Sequence, residues 1–268
     1  MKALLRTTVA AAALVVVAGS AHANSFINGD FETGDFTGWT QGSGYWNANG
    51  GAPLSTYYTG PGGTLVPSLF APSGPYYNAS AGVFTITNPG GDPNTGGALN
   101  KVYSGAHSAM LNDTNNNYSV STIKQTVTNY SDSHIYFAWA AVLEGSHGIT
   151  DSDNFTLNLT NDTTGAVVYS VSYSSASAAG TPLFNYYNGN YYTQWQVQNL
   201  DVSSMMGDTF TLELMAADCP YGGHWGYVYL DGFGAAPPPP GVPEPASMAL
   251  LGVGLLGAGL VHRRRRNG

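Results

Sequence analysis

Apolar and polar side chains alternate along much of the central part of the chain. The clearest examples are two segments whose first, third and fifth positions are apolar: Phe155, Leu157, Leu159, Phe210, Leu212 and Leu214. Successive side chains of a strand point to opposite faces, so this period of two predicts strands with one buried face. Residues 135–143 are apolar at every position, which is typical of a central strand covered on both faces.

Further short extended segments occupy most of the chain between 24 and 234. They are predicted at 83–87, 118–127, 166–173, 191–198 and 225–233, with turns rich in Gly, Pro and Asn between several of them. No stretch in this region keeps a long apolar period of 3.6 residues. The pattern predicts one all-β domain over residues 24–234, a β-sandwich of the jelly-roll kind. Residues 42–82, rich in Gly, Pro, Ser and Tyr, are expected to form a long loop or insertion.

The amino-terminal 23 residues have the three parts of a secretory signal peptide. Lys2 and Arg6 provide a positive start, a short Ala- and Val-rich apolar run follows, and Ala21 and Ala23 form a small-x-small cleavage site. The apolar run is too short to span a bilayer. We therefore expect signal peptidase to cleave after residue 23 and export the protein.

The carboxyl-terminal end carries a second targeting signal. A Pro-rich linker at 235–241 precedes a segment from 242 to 268, in which an apolar span at 246–261 follows Pro243, Glu244 and Pro245. Four arginines end the segment: Arg263, Arg264, Arg265 and Arg266. The arginines should stay on the cytoplasmic side of the inner membrane while the span crosses it as a helix.

This order of Pro-Glu-Pro, apolar span and arginine cluster resembles the PEP-CTERM sorting signal of Gram-negative bacteria. The resemblance implies an exosortase as partner, a membrane enzyme that removes the tail. It also implies a final place at the cell surface or in the extracellular matrix, in association with exopolysaccharide or biofilm. The alternative is a tail anchor that is not cleaved.

Charge narrows the choice of partner. Of the 8 Lys and Arg residues, only Lys101 and Lys124 lie between the two terminal signals, against 15 of the 16 Asp and Glu residues. The central domain therefore carries a net charge of −13. Such a domain repels phosphate backbones, which argues against binding to nucleic acid.

Three segments of the central domain resemble the galactose-binding-like jelly rolls, which include many carbohydrate-binding modules. Residues 26–34 look like the first strand, 103–111 like an internal strand and 227–233 like the closing strand. The resemblance implies a structural Ca²⁺ held by Glu32 and Asp231, with backbone carbonyls near Asn28 and His107. Two carboxylates, carbonyls and water satisfy calcium's preference for oxygen. Alternatively, Glu32 caps a turn and Asp231 is solvated.

Other polar segments give weaker evidence for a metal site. Residues 113–117 imitate the start of an EF-hand loop but lack its glycine and its final glutamate. Residues 151–154 form another oxygen-rich loop, interpreted as a solvated turn with a weak calcium site as the alternative. Cys219, the only cysteine, cannot form an intramolecular disulfide. We expect it to be a buried thiol beside a hydrogen-bonded His224, with a metal site or a Cys–His nucleophile as the alternatives. The roles of these residues and of Asp218 stay open.

Aromatic residues are the remaining chemical signal. Exposed rings could stack on sugar faces, with Asn, Gln and Asp binding the hydroxyls. The candidates are Trp39, Trp46, Trp195, Tyr187 and Tyr192. The alternative is that large β domains use aromatic residues for packing and sheet propensity.

No catalytic motif is recognisable in the chain. It has no Gly-x-Ser-x-Gly, His-Glu-x-x-His or phosphate-binding loop. We therefore expect an exported, non-enzymatic surface or matrix protein that contacts exopolysaccharide. The alternatives are a purely structural surface protein and a secreted polysaccharide-active enzyme.

Overall fold

The computed structural model describes residues 25–46, 51–53, 66–148 and 150–234. The predicted signal peptide, the linker at 235–241 and the sorting signal at 242–268 lie outside the described residues.

Short strands dominate the described residues. The strands are β1 (Thr40–Tyr45), β2 (Phe84–Thr87), β3 (Ser108–Leu111), β4 (Ser119–Val127), β5 (His134–Glu144), β6 (Asn154–Asn161), β7 (Ala166–Ser174), β8 (Asn185–Tyr187), β9 (Asn190–Tyr192), β10 (Gln196–Asp201), β11 (Phe210–Ala217) and β12 (Gly226–Gly234). The helical elements are α1 (Ser175–Ala178) and the 3₁₀ turns Pro67–Phe70, Pro93–Thr95 and Ser203–Met205.

The strands form two sheets. The five-stranded sheet has the order β1-β4-β11-β6-β7, and the seven-stranded sheet has the order β2-β3-β12-β5-β9-β8, with β10 also paired to β5. All pairings between these strands are antiparallel. The predicted all-β sandwich is confirmed.

The apolar alternation builds the core between the sheets. In the five-stranded sheet, Leu212 of β11 lies opposite Leu159 of β6 and Leu214 lies opposite Leu157, with all four side chains fully buried. β5 contributes to two clusters, as its unbroken apolar sequence predicts. Its residues alternate between this core and a second apolar cluster on the other face of the seven-stranded sheet. That sheet is therefore covered on both faces.

Three predicted boundaries are wrong. Residues 26–34 form tight turns rather than a first strand, and Asn28 and Phe31 have positive φ. The expected loop at 42–82 begins inside β1. The single strand predicted at 191–198 is divided, because both backbone and side chain of Thr193 bind Ala141 and interrupt the extended run between β9 and β10.

The first described residues join the two sheets. The Gln125 side chain on β4 accepts a hydrogen bond from the Ile27 amide at 2.6 Å and donates one to the Ile27 carbonyl at 2.8 Å. Two residues later, the Gly29 carbonyl accepts a hydrogen bond from the Phe233 amide of β12 at 2.9 Å. This segment therefore crosses from the five-stranded sheet to the seven-stranded sheet and brings the following turn against β12.

Replacing Gly29 with alanine should destabilise the domain. An added Cβ would overlap the Phe233 carbonyl oxygen, so the crossing segment would have to move away from β12. We expect a loss of about 1–3 kcal/mol, as for other overpacked sites, measured as a lower urea midpoint. The control is Gly180→Ala, where no atom lies within 4 Å of the added Cβ. Equal midpoints for the two variants would contradict this account of the crossing.

Candidate functional site

Two carboxylates bind the same connecting segment where the crossing segment reaches β12. One Glu32 oxygen accepts hydrogen bonds from the amides of Ala106 and His107 at 2.8 and 3.0 Å. Asp231 Oδ2 accepts from the amides of Tyr103 and Ser104, both at 3.0 Å. The segment between β2 and β3 therefore contacts both acids, each through one oxygen.

Asp231 lies in an environment that disfavours its charge. Its side chain is fully buried, and its Oδ1 atom makes no hydrogen bond within the described residues. Burial raises the pKa of Asp231 to about 7, and the nearby negative charge of Glu32 adds to the rise. A buried, unpartnered carboxylate oxygen beside a second carboxylate is a place where a cation would be stabilised.

The residues present fit the calcium expected from the sequence. Glu32 and Asp231 both bind residues of the 103–107 segment. Asp231 is buried, which corrects the alternative of a solvated side chain. The alternative for Glu32, that it caps a turn, agrees with its two hydrogen bonds from the amides of Ala106 and His107. Both bonds use the same Glu32 oxygen. The Asn28 carbonyl already accepts the Trp39 indole N–H at 3.0 Å. We propose that Glu32 and Asp231 hold a structural Ca²⁺.

The second candidate site is a hollow on the outer face of the seven-stranded sheet. It has a volume of about 350 Å³. The strands β2, β3 and β12 contribute outward-facing side chains: Thr85, Thr87, Met110, Tyr227 and Tyr229. The connecting segments contribute mostly polar side chains: Asp92, Pro93, Asn94, Lys101, Asp113 and Thr114. Hydroxyl, carboxylate, amide and ammonium groups therefore converge on one concavity.

Asp92 organises this hollow. Its side chain is fully buried and accepts hydrogen bonds from the hydroxyls of Tyr227 at 2.7 and 2.9 Å and of Tyr229 at 2.8 Å. It also accepts the Asn94 amide at 2.8 Å and so caps the turn Pro93–Thr95. Burial, together with the Asp92 charge, raises the pKa of both phenols, so they stay protonated as donors. The connecting segment is thereby tied to β12.

Three of the five aromatic residues expected to stack on sugars are packed inside the protein. Trp39 stacks on Phe31 and is 8% exposed, and Trp46 is fully buried in an apolar cluster. Tyr192 is also 8% exposed. Their ring faces are taken by protein atoms, so these three assignments are corrected.

The other two aromatic candidates reach the surface near the hollow. Trp195 is partly exposed and donates its indole N–H to the Asn100 carbonyl at 2.8 Å. Tyr187 is 45% exposed and lies against Gly96, next to the turn that carries Asn94. That Trp195 and Tyr187 stack on sugars stays a prediction.

Sequence reasoning missed the hollow because its parts are far apart in the chain. Asp92 and Tyr227 are separated by 135 positions. The one local signal was the pair Tyr227 and Tyr229, which share a face of a strand by their spacing. Only the packing of the 88–101 segment over that face creates a concavity.

The expected oxygen-rich loop at 151–154 does not act as a unit. Asp153 is fully buried and accepts a hydrogen bond from the Ser175 hydroxyl at 2.6 Å, whereas Asp151 contacts residues of another loop. Burial raises the pKa of Asp153 well above its usual value. The two carboxylates bind different parts of the protein, which argues against a shared calcium site.

Asp218 has a structural role in the described residues. It accepts hydrogen bonds from the Asn112 amide group at 2.8 Å and from the backbone and hydroxyl of Ser119, both at 3.0 Å. Burial raises its pKa to about 7. It therefore anchors the connection between β3 and β4 to the end of β11.

Comparison with known proteins identifies the carboxyl-terminal segment. Residues 241–266 match the PEP-CTERM protein-sorting motif, so the chain carries the sorting signal of an exported protein. None of the curated proteins compared with the chain matches it. The described residues contain no helix long and apolar enough to cross a membrane, and the span at 246–261 lies outside them.

Among solved structures, the chain is similar to several β-sandwich modules. The carbohydrate-binding module TmCBM61, solved with β-1,4-galactotriose, is 11% identical over 78% of this chain and 95% of its own, with a TM-score of 0.38. CBM28, a module specific for non-crystalline cellulose, is 13% identical over 77% and 92%, with a TM-score of 0.36. The enzymatically active domain of bacteriophage CBA120 tailspike protein 4 is 11% identical over 79% and 21%, with a TM-score of 0.34.

Calcium should raise the melting temperature of the wild-type protein, and a chelator should lower it, because the ion offsets the repulsion between Glu32 and Asp231. Asp231→Asn should lose this response. Asp201→Asn should keep it, since Asp201 is an exposed acid on β10 that only caps a turn. Scanning calorimetry with and without Ca²⁺ measures the melting temperatures of the wild type and of both variants. An identical calcium response in Asp231→Asn would contradict the site.

The pH dependence gives a second readout of the same site. Without calcium, the pKa of Asp231 is about 7 in the folded protein and near its ordinary value in the unfolded chain. Between about pH 4 and 7 the folded protein therefore binds a proton at Asp231 that the unfolded chain does not, and the stability from this proton falls as pH rises through this window. Bound calcium should remove that contribution. Comparison with Asp231→Asn separates it from the contribution of Asp218, whose pKa is also raised.

Proposed function

We propose that this protein is a non-enzymatic glycan-binding module, exported, processed by an exosortase and retained at the cell surface or in the extracellular matrix with exopolysaccharide. A structural Ca²⁺ at Glu32 and Asp231 belongs to the same proposal. The observation that carries the binding function is the polar hollow on the outer face of the seven-stranded sheet.

The chemistry of the hollow suits a carbohydrate. Sugars present hydroxyl groups that both donate and accept, together with apolar C–H faces. The hollow offers Lys101 as a donor, Asp113 as an acceptor and Thr85 as either, beside the apolar Met110 side chain. Its volume of about 350 Å³ accommodates one or two sugar units rather than a long chain segment.

The same hydrogen bonds favour binding over hydrolysis. A glycosidase needs two carboxyl groups in the site, one of which delivers a proton to the leaving group. Both oxygens of Asp92 accept hydrogen bonds from the protein's own phenols and amide. Asp92 therefore acts as an anchor for the site. Asp113, the other carboxylate lining the hollow, likewise accepts hydrogen bonds at both oxygens, from the Asn115 amide at 2.8 Å and the Asn115 side chain at 2.6 Å.

Binding should depend on Lys101 and not on Lys124. The two lysines are the central domain's only ones, and they lie in different places. Lys101 belongs to the connection between β2 and β3 and borders the hollow, whereas Lys124 belongs to β4 of the five-stranded sheet. Loss of a charged hydrogen bond costs about 1.5–3 kcal/mol. We expect Lys101→Met to weaken glycan binding about tenfold or more and Lys124→Met to leave it unchanged.

The measurement is calorimetric titration of the full chain with gluco-, galacto- and manno-oligosaccharides and with the producing bacterium's exopolysaccharide. Weaker binding in Tyr187→Ala but not in Lys101→Met would place the site at the β8 edge instead. No binding to any glycan would leave the purely structural role. Release of new reducing ends from the exopolysaccharide would support the enzyme.

The sorting proposal has its own test. Mass spectrometry of the surface or matrix form should find a chain that begins near Asn24 and lacks the arginine tail. Deleting the exosortase should leave a longer form in the inner membrane. An intact His262–Gly268 segment in the surface form would contradict processing.

A further inference from the structure

A cluster of metal-ligand side chains lies at one end of the sandwich, apart from both sites described above. Its first half is the connection between β11 and β12. The Cys219 amide donates to the His224 carbonyl at 3.0 Å, and the Gly222 amide donates to the Cys219 carbonyl at 3.0 Å. Gly222 and Gly223 have positive φ, which closes the loop tightly. The loop thus holds the backbones of Cys219 and His224 side by side.

The second half comes from the connection between β5 and β6. His147 Nδ1 lies 3.0 Å from Asp151 Oδ2, and the Asp151 amide binds the Gly148 carbonyl at 3.0 Å. Asp151 Oδ1 faces the other loop: it accepts the Cys219 thiol at 2.6 Å and lies 3.7 Å from His224 Nδ1. The rings of His147 and His224 are 4.7 Å apart. His147, Asp151 and His224 therefore form one group of ligand-type side chains, and the Cys219 thiol is attached to it through Asp151.

One member of the cluster is left without a hydrogen bond. His224 Nδ1 makes none in the described residues, although its side chain is only 10% exposed. Buried polar atoms normally form hydrogen bonds, so a ring nitrogen without one, 3.7 Å from the Asp151 carboxylate, is a free ligand atom. The sequence prediction of a buried thiol is confirmed, whereas the hydrogen bond expected for His224 is not made at Nδ1.

We propose that His147, Asp151, Cys219 and His224 form a binding site for a divalent transition-metal ion of the zinc class. Two imidazoles, one carboxylate and one thiolate are a four-ligand set that Zn²⁺ prefers. Ligand atoms about 2.0–2.3 Å from a tetrahedral ion lie about 3.3–3.6 Å from one another. The candidate ligand atoms of His147, Asp151 and His224 all lie within 4.8 Å of one another. Calcium and magnesium do not fit, because they select oxygen ligands.

Binding would exchange a proton for the metal. The sulfur–hydrogen bond of Cys219 breaks, a sulfur–metal bond forms, and the proton leaves to solvent. Asp151 Oδ1 then binds the metal instead of the thiol. The Tyr221 amide, which donates to the sulfur at 3.4 Å, stays in place to support the thiolate.

A nucleophilic cysteine fits these surroundings poorly. Burial and the adjacent Asp151 carboxylate raise the pKa of the metal-free Cys219 thiol to about 12, so the free thiol is not a nucleophile at neutral pH. The metal would instead join the two connections that cross between the sheets at this end. It would provide a cross-link that a chain with a single cysteine cannot obtain from an internal disulfide.

The test is titration of the full chain with Zn²⁺ in the presence of excess Ca²⁺, which occupies oxygen-ligand sites. We expect one Zn²⁺ per chain, release of about one proton at neutral pH and a higher melting temperature. Co²⁺ in place of Zn²⁺ should give a sulfur-to-cobalt charge-transfer band that Cys219→Ser abolishes.

His147→Ala is the decisive variant, because His147 is 79% exposed and its loss should not affect folding. It should weaken Zn²⁺ binding at least about tenfold, since even second-shell changes have effects of that size. The matched control, His134→Ala, removes a histidine on β5 whose ring contacts Ser133. Unchanged affinity in His147→Ala, absence of the cobalt band, or no zinc binding by the wild-type chain would each overturn the proposal.

Discussion

The structure depends on burial of both faces of strand β12. Residues 226–233 are all buried, with Val228, Leu230 and Phe233 in the core between the sheets. The opposite face of the strand carries Tyr227, Tyr229 and Asp231, whose polar atoms are costly to leave without partners in a covered position. The 88–107 segment supplies hydrogen-bond partners for both phenols and for one oxygen of Asp231. In doing so it forms one side of the hollow and also binds the Glu32 carboxylate.

This constraint explains why an acidic chain has its acids inside. Asp92, Asp153, Asp218 and Asp231 are all fully buried, and each accepts hydrogen bonds from backbone amides or hydroxyls. Such bonds fix the ends of connections that lack long helices or disulfides. Burial raises the pKa of Asp153, Asp218 and Asp231, so a charged carboxylate at these positions is costly unless a cation binds beside it. The proposed calcium site at Asp231 would offset that cost.

The outcome for the aromatic residues shows where prediction from sequence stops. Trp39, Trp46 and Tyr192 have the same residue types and local patterns as exposed sugar-stacking rings, yet each is packed against other parts of the chain. The burial of a ring depends on segments that approach from elsewhere, such as the Pro67–Phe70 turn over Trp46. The same holds for His147, which has no recognisable ligand spacing with Cys219 and meets it only through the ends of two connections.

Most of the strands, the sandwich and the sorting signal at the carboxyl-terminal end could be predicted from the sequence. These features are local, because alternation of side chains, turn residues and the Pro-Glu-Pro, apolar span and arginine order are all read within short windows. The sequence also brought Glu32 and Asp231 forward as a pair, through resemblance rather than through spacing. Which polar groups share a site depends on the tertiary fold, since Asp92 and Tyr227, or Asp151 and Cys219, come together across 135 and 68 positions. Such contacts are set by how the connections pack over the sheets, and no short window of sequence encodes that packing.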